Sequence, residues 1–283
     1  MLTLPKRIFH KAVSLGFGVF EKLGVHVIPI VYDSPIPKTR ELTDQLFQTD
    51  SDCVGIDWNV AQQRKYLAEI FPSYSREAQF KETPTYSLID TAILHSMIRH
   101  HKPKKMVEIG SGETTLIAAN ACRMNANSGN SCRQVAIDPY SKASLRSQFP
   151  LSVELVEKPV QDVAVGDIVD CDMLFIDSSH VVKIGGDVTH EILELVPRLP
   201  SGAVIHWHDI LLPSEYWKDW VKEKHYIWTE QYLLHAFLKY NTEFEILWAS
   251  HYMHLNHSGE VSEVFPGFRP DEHRITSFWV RRN

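Results

Sequence analysis

The chain is poor in the features that mark the simplest functional classes. Its four cysteines, Cys53, Cys122, Cys132 and Cys171, show no metal-ligand spacing and no dense framework. Neither a zinc module nor a disulfide-stapled scaffold is therefore indicated. Cys171 directly precedes an apolar strand pattern, where core packing is the simpler account. Dense Lys/Arg runs are missing too, and the formal net charge is -6. A nucleic-acid partner wants a basic face, so none is expected. No apolar run is long enough to span a bilayer. Lys6 and Arg7, followed by Ala12 to Phe20, loosely imitate a secretory leader, but Glu21 and Lys22 follow without a small-residue cleavage site. Repeats and low-complexity tracts are absent. The expectation is a reduced, cytoplasmic protein acting on a small molecule, without membrane association and with homo-oligomerisation left open.

What is present is organised around Met106 to Thr115. Met106-Val107-Glu108-Ile109 is an apolar run behind Lys102, Lys104 and Lys105, which reads as a buried parallel strand. It breaks at Gly110 and Gly112 and becomes a helix through Leu116, Ile117 and Ala118. Glycines let a ligand approach the backbone, and a helix start presents unpaired N–H groups. Glu108 decides which ligand: a carboxylate there repels a pyrophosphate and suits a cation.

From Tyr86 the pattern is regular. Ser87 can cap a helix with Asp90 at the capping-box position, running to His101. Further strands are expected at Gln134–Asp138, Val153–Val156, Met173–Asp177, Ala203–His208, Phe244–Trp248 and Ser277–Arg281. Helices are expected between them, the longest over Val181–Leu199. Seven strands with interposed helices imply an α/β fold, a doubly wound and mostly parallel sheet, with ligands beyond the carboxyl ends of its strands.

Residues 1–83 lack that alternation and read as a mainly helical appendage, acting as lid or interface, ahead of a catalytic domain at 84–283. Ile8, Phe9, Ala12, Val13, Leu15 and Phe20 form a helical stripe suited to packing on the same chain or a second subunit, with a membrane-surface helix as the alternative. Val25 to Val31 reads as extended, Ser34-Pro35-Ile36-Pro37 as irregular, and Val60 to Phe71 as a helix ending at Pro72.

The early strands end in polar residues that suit one ligand. Glu108 ends the first. Asp138 ends the second, where a carboxylate can accept from both hydroxyls of a ribose. Gln161 and Asp162 follow the third, positioned for an adenine amino group. The acidic-x-Gly-x-Gly run at Glu108-Ile109-Gly110-Ser111-Gly112, with these later residues in order, resembles the class I S-adenosylmethionine-dependent methyltransferases. The resemblance implies that Glu108, Gly110, Ser111, Gly112, Thr114, Asp138, Gln161, Asp162 and Asp177 bind S-adenosylmethionine. Thr114 stands where a third glycine is common and could donate its hydroxyl to the methionyl carboxylate. A nicotinamide-type Rossmann oxidoreductase is the runner-up, and it lacks the second x-x-Gly.

Two later strand ends carry the chemistry, Asp177-Ser178-Ser179-His180 and His206-Trp207-His208-Asp209. Asp177 and Asp209 should emerge on one edge, where paired carboxylates suit Mg2+. The Asp-x-x-His spacing is similar to that of small-molecule O-methyltransferases, including the macrolide-sugar branch. That similarity implies metal-binding Asp177 and Asp209, with His180 as general base and Asp177 also catalytic. His208 departs from the acidic residue often found beside the second aspartate. The implied activity is O-methylation of a hydroxyl on a small or glycan-like metabolite, against a metal-free base or a non-catalytic scaffold that keeps the cofactor fold. His206-x-His208-Asp209 also partly matches a metallohydrolase pattern, and His251, His254 and His257 read as a solvated or substrate-facing loop. Tyr216, Trp217, Trp220, Tyr226, Trp228, Tyr232 and Trp248 are core aromatics or an acceptor pocket, with Tyr232 and His235 as flanking candidates.

Overall fold

A computed structural model describes residues 4–77, 86–270 and 272–283. Its packing divides the chain into two units, Met1–Thr49 with Tyr216–Ile227, and Asp50–Glu215 with Trp228–Asn283.

The larger unit is built on seven strands: β1 Lys105–Ile109, β2 Arg133–Ile137, β3 Val153–Val156, β4 Met173–Ile176, β5 Val204–Trp207, β6 Phe244–Ala249 and β7 Phe278–Arg282. They form one sheet in the order β3-β2-β1-β4-β5-β7-β6. All pairs are parallel except those of β7, which runs antiparallel between β5 and β6. Side chains alternate across a strand, so each central strand feeds two cores. On one face Met106 and Phe175 meet Ile93, Met97 and Ile98 of the helix Leu88–His101. On the other, Val107, Leu174 and Ile205 meet Ile192, Leu195 and Leu234. Burial on both faces explains why these strands read as continuous apolar runs.

Helix Leu88–His101 begins as its sequence implies, with Asp90 N–H donating to Ser87 Oγ at 3.0 Å. The Asp90 carboxylate then turns inward and accepts from the backbone N–H groups of Thr276 and Ser277, both at 3.2 Å. A cap thereby doubles as an anchor for the approach to β7.

Three local expectations are corrected. The stretch from Val60, assigned above to the appendage, packs in the sheet unit. It runs as Val60–Lys65, a π turn Tyr66–Ile70 and Phe71–Tyr74, so it passes through Pro72. Tyr66, Leu67 and Phe71 are buried, with the Phe71 ring edge-on to Trp248 at 4.8 Å. The expected boundary between 83 and 84 lies outside the described residues. The segment from Val181 is irregular until Asp187, because Gly185 adopts φ +67° and Asp187 accepts from Ser179 N–H and Oγ before a helix can start. Helix, π turn and 3-10 turn then follow to Arg198. His251, His254 and His257 lie on a helix, Ser250–Val264, rather than a loop.

The smaller unit holds the helix Leu4–Lys22 and 3-10 turns at Thr39–Glu41 and Asp44–Phe47. Lys218 pairs with Asp44 at 2.9 Å, and Lys222 Nζ donates to the Leu42 carbonyl at 2.6 Å. Among the described residues, no helix is long and apolar enough to cross a membrane.

Candidate active site

The sheet's hydrogen bonding continues one step past the strands. Gly110 N–H donates to Ile137 O, Asp138 N–H to Val156 O, Asp177 N–H to Ile109 O and His208 N–H to Ile176 O, all between 2.9 and 3.0 Å. Asp138, Gly110, Asp177 and His208 therefore stand in a row along the carboxyl edge, each placed by the register of its strand. Gly110 has φ +96°, and a Cβ there would lie 2.2 Å from the Asp177 carbonyl oxygen. Only glycine lets β1 turn beneath the tip of β4.

Beside this row lies a cavity of about 510 Å³, lined among others by Gly110, Ser111, Asp138, Gln161 and Asp177. Asp138 Oδ2 accepts from Ser111 Oγ at 2.6 Å and its Oδ1 from Tyr140 N–H at 2.7 Å. These bonds fix the carboxylate at the cavity wall. Pro159 and Val160 add apolar surface, and Gln161 Nε2 is tied to Gly185 O at 3.0 Å.

Not every expected residue reaches that wall. Glu108 is buried beneath the glycine turn, where Thr114 Oγ donates to its Oε1 at 2.5 Å. Burial pushes the Glu108 carboxyl up to about 8, against the pull of the Thr114 and Thr115 hydroxyls. Gly112 N–H donates to Thr115 Oγ at 2.9 Å, closing the start of the helix Glu113–Asn127. Glu108, Gly112 and Thr114 thus shape the turn rather than line the cavity. Asp162 is exposed and also lies off the lining.

At the other end of the row the groups converge. His180 Nδ1–H donates to Glu230 Oε2 at 2.8 Å, while its Nε2 lies 3.3 Å from Asp177 Oδ1 and 3.6 Å from Asp209 Oδ2. His180 and Asp209 both adopt left-handed backbone, with φ +58° and +57°. Such strain persists only where surroundings enforce it, commonly at functional sites. Burial works against a proton on His180, but its bonds to Asp177 and Glu230 and the charges of Glu230 and Asp209 raise its pKa well above the ordinary value. Burial would raise the Asp177 carboxyl, yet the His180 hydrogen bond and the nearby imidazoles bring it down to about 2. His208, 3.3 Å from Asp209 Oδ1, opposes burial in the same way and is lifted to about 9.

Among the described residues, Asp177, His180 and Asp209 offer ligand atoms within 4.8 Å of one another, as a metal ion would require. His206 does not join them. It is stacked on Phe175 at 4.0 Å with neither ring nitrogen hydrogen-bonded, so the metallohydrolase pattern does not assemble. The late aromatics divide between the two units, Tyr216 to Tyr226 falling in the smaller one. In the larger unit Trp228 packs on His180 at 4.4 Å, Tyr232 donates to Glu215 at 2.5 Å, and Trp248 is core. Neither Tyr232 nor His235 lines the cavity.

Sequence reasoning missed Glu230, Tyr140 and Lys183. Glu230 lies fifty residues from His180, and no spacing rule links them. Tyr140 and Lys183 line the cavity from loops directly after strand tips, a position that is itself a functional signal.

Residues 107–210 match the family model described as "Methyltransferase domain". An uncharacterised protein of Archaeoglobus fulgidus is 32% identical over 182 residues, which are 57% of this chain and 80% of that protein. Among solved structures, the S-adenosylhomocysteine-bound methyltransferase PaMTH1 of Podospora anserina is 15% identical. It is covered over 99% of its length by 92% of this chain, with a TM-score of 0.45. The O-methyltransferase TomG of Streptomyces achromogenes is 14% identical, with 80% of this chain covering 96% of it and a TM-score of 0.44. The domain match sets aside the nicotinamide-type reading. Residues 107–210 thus belong to the family described as a methyltransferase domain.

Proposed function

We propose that the protein transfers a methyl group from S-adenosylmethionine to a hydroxyl of a small or glycan-like metabolite. The observation that carries this reading is the double position of Asp177. It lines the 510 Å³ cavity, and its Oδ1 lies 3.3 Å from His180 Nε2. The cavity and the acid–imidazole cluster therefore share a wall.

The cavity fits the cofactor. Asp138 offers fixed carboxylate oxygens to a ribose diol, Pro159 and Val160 an apolar face to a flat ring, and the Cβ-free Gly110 a close backbone approach. When bound, the sulfonium supplies an activated methyl group. The protein's task is then mainly alignment, an effect worth roughly 7–11 kcal/mol.

His180 is the candidate base, oriented by Glu230 so that Nε2 faces Asp177 and Asp209. With carboxylates on both sides its imidazole keeps a proton, so it can accept one only when added positive charge compensates Asp177 and Asp209. Two half-buried carboxylates gathered about an imidazole are a donor set that fits Mg2+. Bound there, Mg2+ would lower the pKa of an acceptor hydroxyl. The convergence of all three ligand atoms also favours a second reading, in which His180 is a third ligand.

Titration calorimetry with S-adenosylhomocysteine should give saturable heat, and its absence rejects the cofactor assignment. Labelled methyl from S-adenosylmethionine should enter hydroxylated acceptors such as sugars, glycans or phenols. Labelling confined to amines or thiols overturns the hydroxyl reading. Chelator should abolish transfer, and full activity in its presence removes the metal.

A further inference from the structure

None of the 19 residues of the helix Leu4–Lys22 is buried. Its sequence is nonetheless segregated. At 3.6 residues per turn Leu4, Ile8, Leu15 and Val19 fall along one stripe, widened by Phe9 and Phe20, while Lys6, Arg7 and His10 occupy the opposite side. The stripe is open to solvent, with Ile8 63%, Leu15 79% and Val19 64% exposed. It continues beyond the helix. Leu23 is 73% exposed and Tyr32 fully so, and Phe17 stacks on His26 at 5.4 Å, holding the following segment against the helix. A contiguous apolar surface rimmed by polar residues marks an interaction site.

Charge selects the partner. The helix carries Lys6, Arg7, Lys11 and Lys22 against Glu21 alone, in a chain whose net charge is -6. A basic helix with one broad apolar face, on an otherwise acidic protein, complements an anionic lipid surface. A second copy of the helix is a poorer match. Aligned as heptads, the seam takes Ala12 and Lys22, which are weak knobs for a coiled coil. We infer that the helix Leu4–Lys22 binds in the plane of an anionic bilayer, with Leu4, Ile8, Leu15 and Val19 among the acyl chains and Lys6, Arg7 and Lys11 at the headgroups. Lys11 borders the stripe, where a long side chain reaches from the apolar zone to the phosphates.

The test uses the full chain in co-sedimentation with phosphatidylcholine vesicles, with and without phosphatidylglycerol. Binding to the anionic vesicles alone, weakened by salt, is expected. The triple variant Lys6→Gln, Arg7→Gln, Lys11→Gln should lower partitioning on the order of a hundredfold. Ile8→Asp with Leu15→Asp should abolish it. All five side chains are exposed, so thermal unfolding and S-adenosylhomocysteine binding should not change in either variant, which separates this inference from the methyltransferase reading. Equal recovery with both vesicle types, or none with either, overturns it. So does a concentration-dependent dimer, dispersed by the aspartate variant, that leaves vesicles unbound.

Discussion

The two ends of the carboxyl edge handle polar groups in opposite ways. At the tips of β1 and β2 the groups are held singly and left open. Asp138 is fixed by one hydroxyl and one backbone N–H and still faces a cavity. At the tips of β4 and β5 they are turned on one another. Asp177, Asp209 and Glu230 each bring a carboxylate oxygen within 3.6 Å of a His180 ring nitrogen, and two of the backbones are left-handed. The first arrangement suits a ligand that arrives with its own hydroxyls. The second holds charge in readiness, because removing His180 would take from the buried Glu230 carboxylate its hydrogen-bond partner. Under the proposed function, the first end would set affinity and the second turnover.

The largest test of that division is His180→Ala. Turnover should fall by about 10²- to 10⁴-fold, while S-adenosylhomocysteine affinity, read by calorimetry, stays nearly unchanged. An equal loss of affinity would show that the two ends are one functional unit. Asp138→Ala is the reciprocal experiment. It removes hydrogen bonds to a charged group, each worth about 1.5–3 kcal/mol, so affinity should drop roughly tenfold to a hundredfold. Saturated turnover should change little by comparison.

The smallest effect sharpens the comparison beneath the glycine turn. Glu108 has its folded pKa raised from 4.5 to about 8, so the folded state binds the extra proton. Its share of stability is present below the unfolded value and is lost as pH rises through about 8, by at most about 1.4 kcal/mol per pH unit. Glu108→Gln cannot ionise and should flatten that part of the profile in denaturant titrations at several pH values. An unchanged slope would mean that another group sets it.

The sheet was legible because burial on both faces writes apolar runs, and because Gly110 and Asp138 mark strand ends. Pairing of Asp177 with the β5 tip was legible for the same reason, since adjacent parallel strands bring their ends together. What lay beyond reading depended on contacts remote in sequence or on single backbone dihedrals. Thr114, next to a glycine turn, invited a ligand role, but the nearest acceptor is the buried Glu108. The left-handed backbone of Asp209, which brings its carboxylate within 3.3 Å of His208, is a single dihedral of this kind. The histidines from His251 onward looked like a loop because their helix shows no clear apolar stripe, being kinked at His257. For Val60 to Phe71 periodicity reports that a face is buried and not what buries it, and Tyr66, Leu67 and Phe71 pack in the core of the larger unit.

Strand β7 lies between β5 and β6, with Gly202 N–H and Arg282 O at 2.8 Å sealing its far end. On the ribosome, therefore, the sheet has two raw seams until Phe278–Arg282 emerges, long after every residue of the proposed chemistry has been made. A nascent chain stalled before that point would offer both edges to chaperones or to other copies of itself.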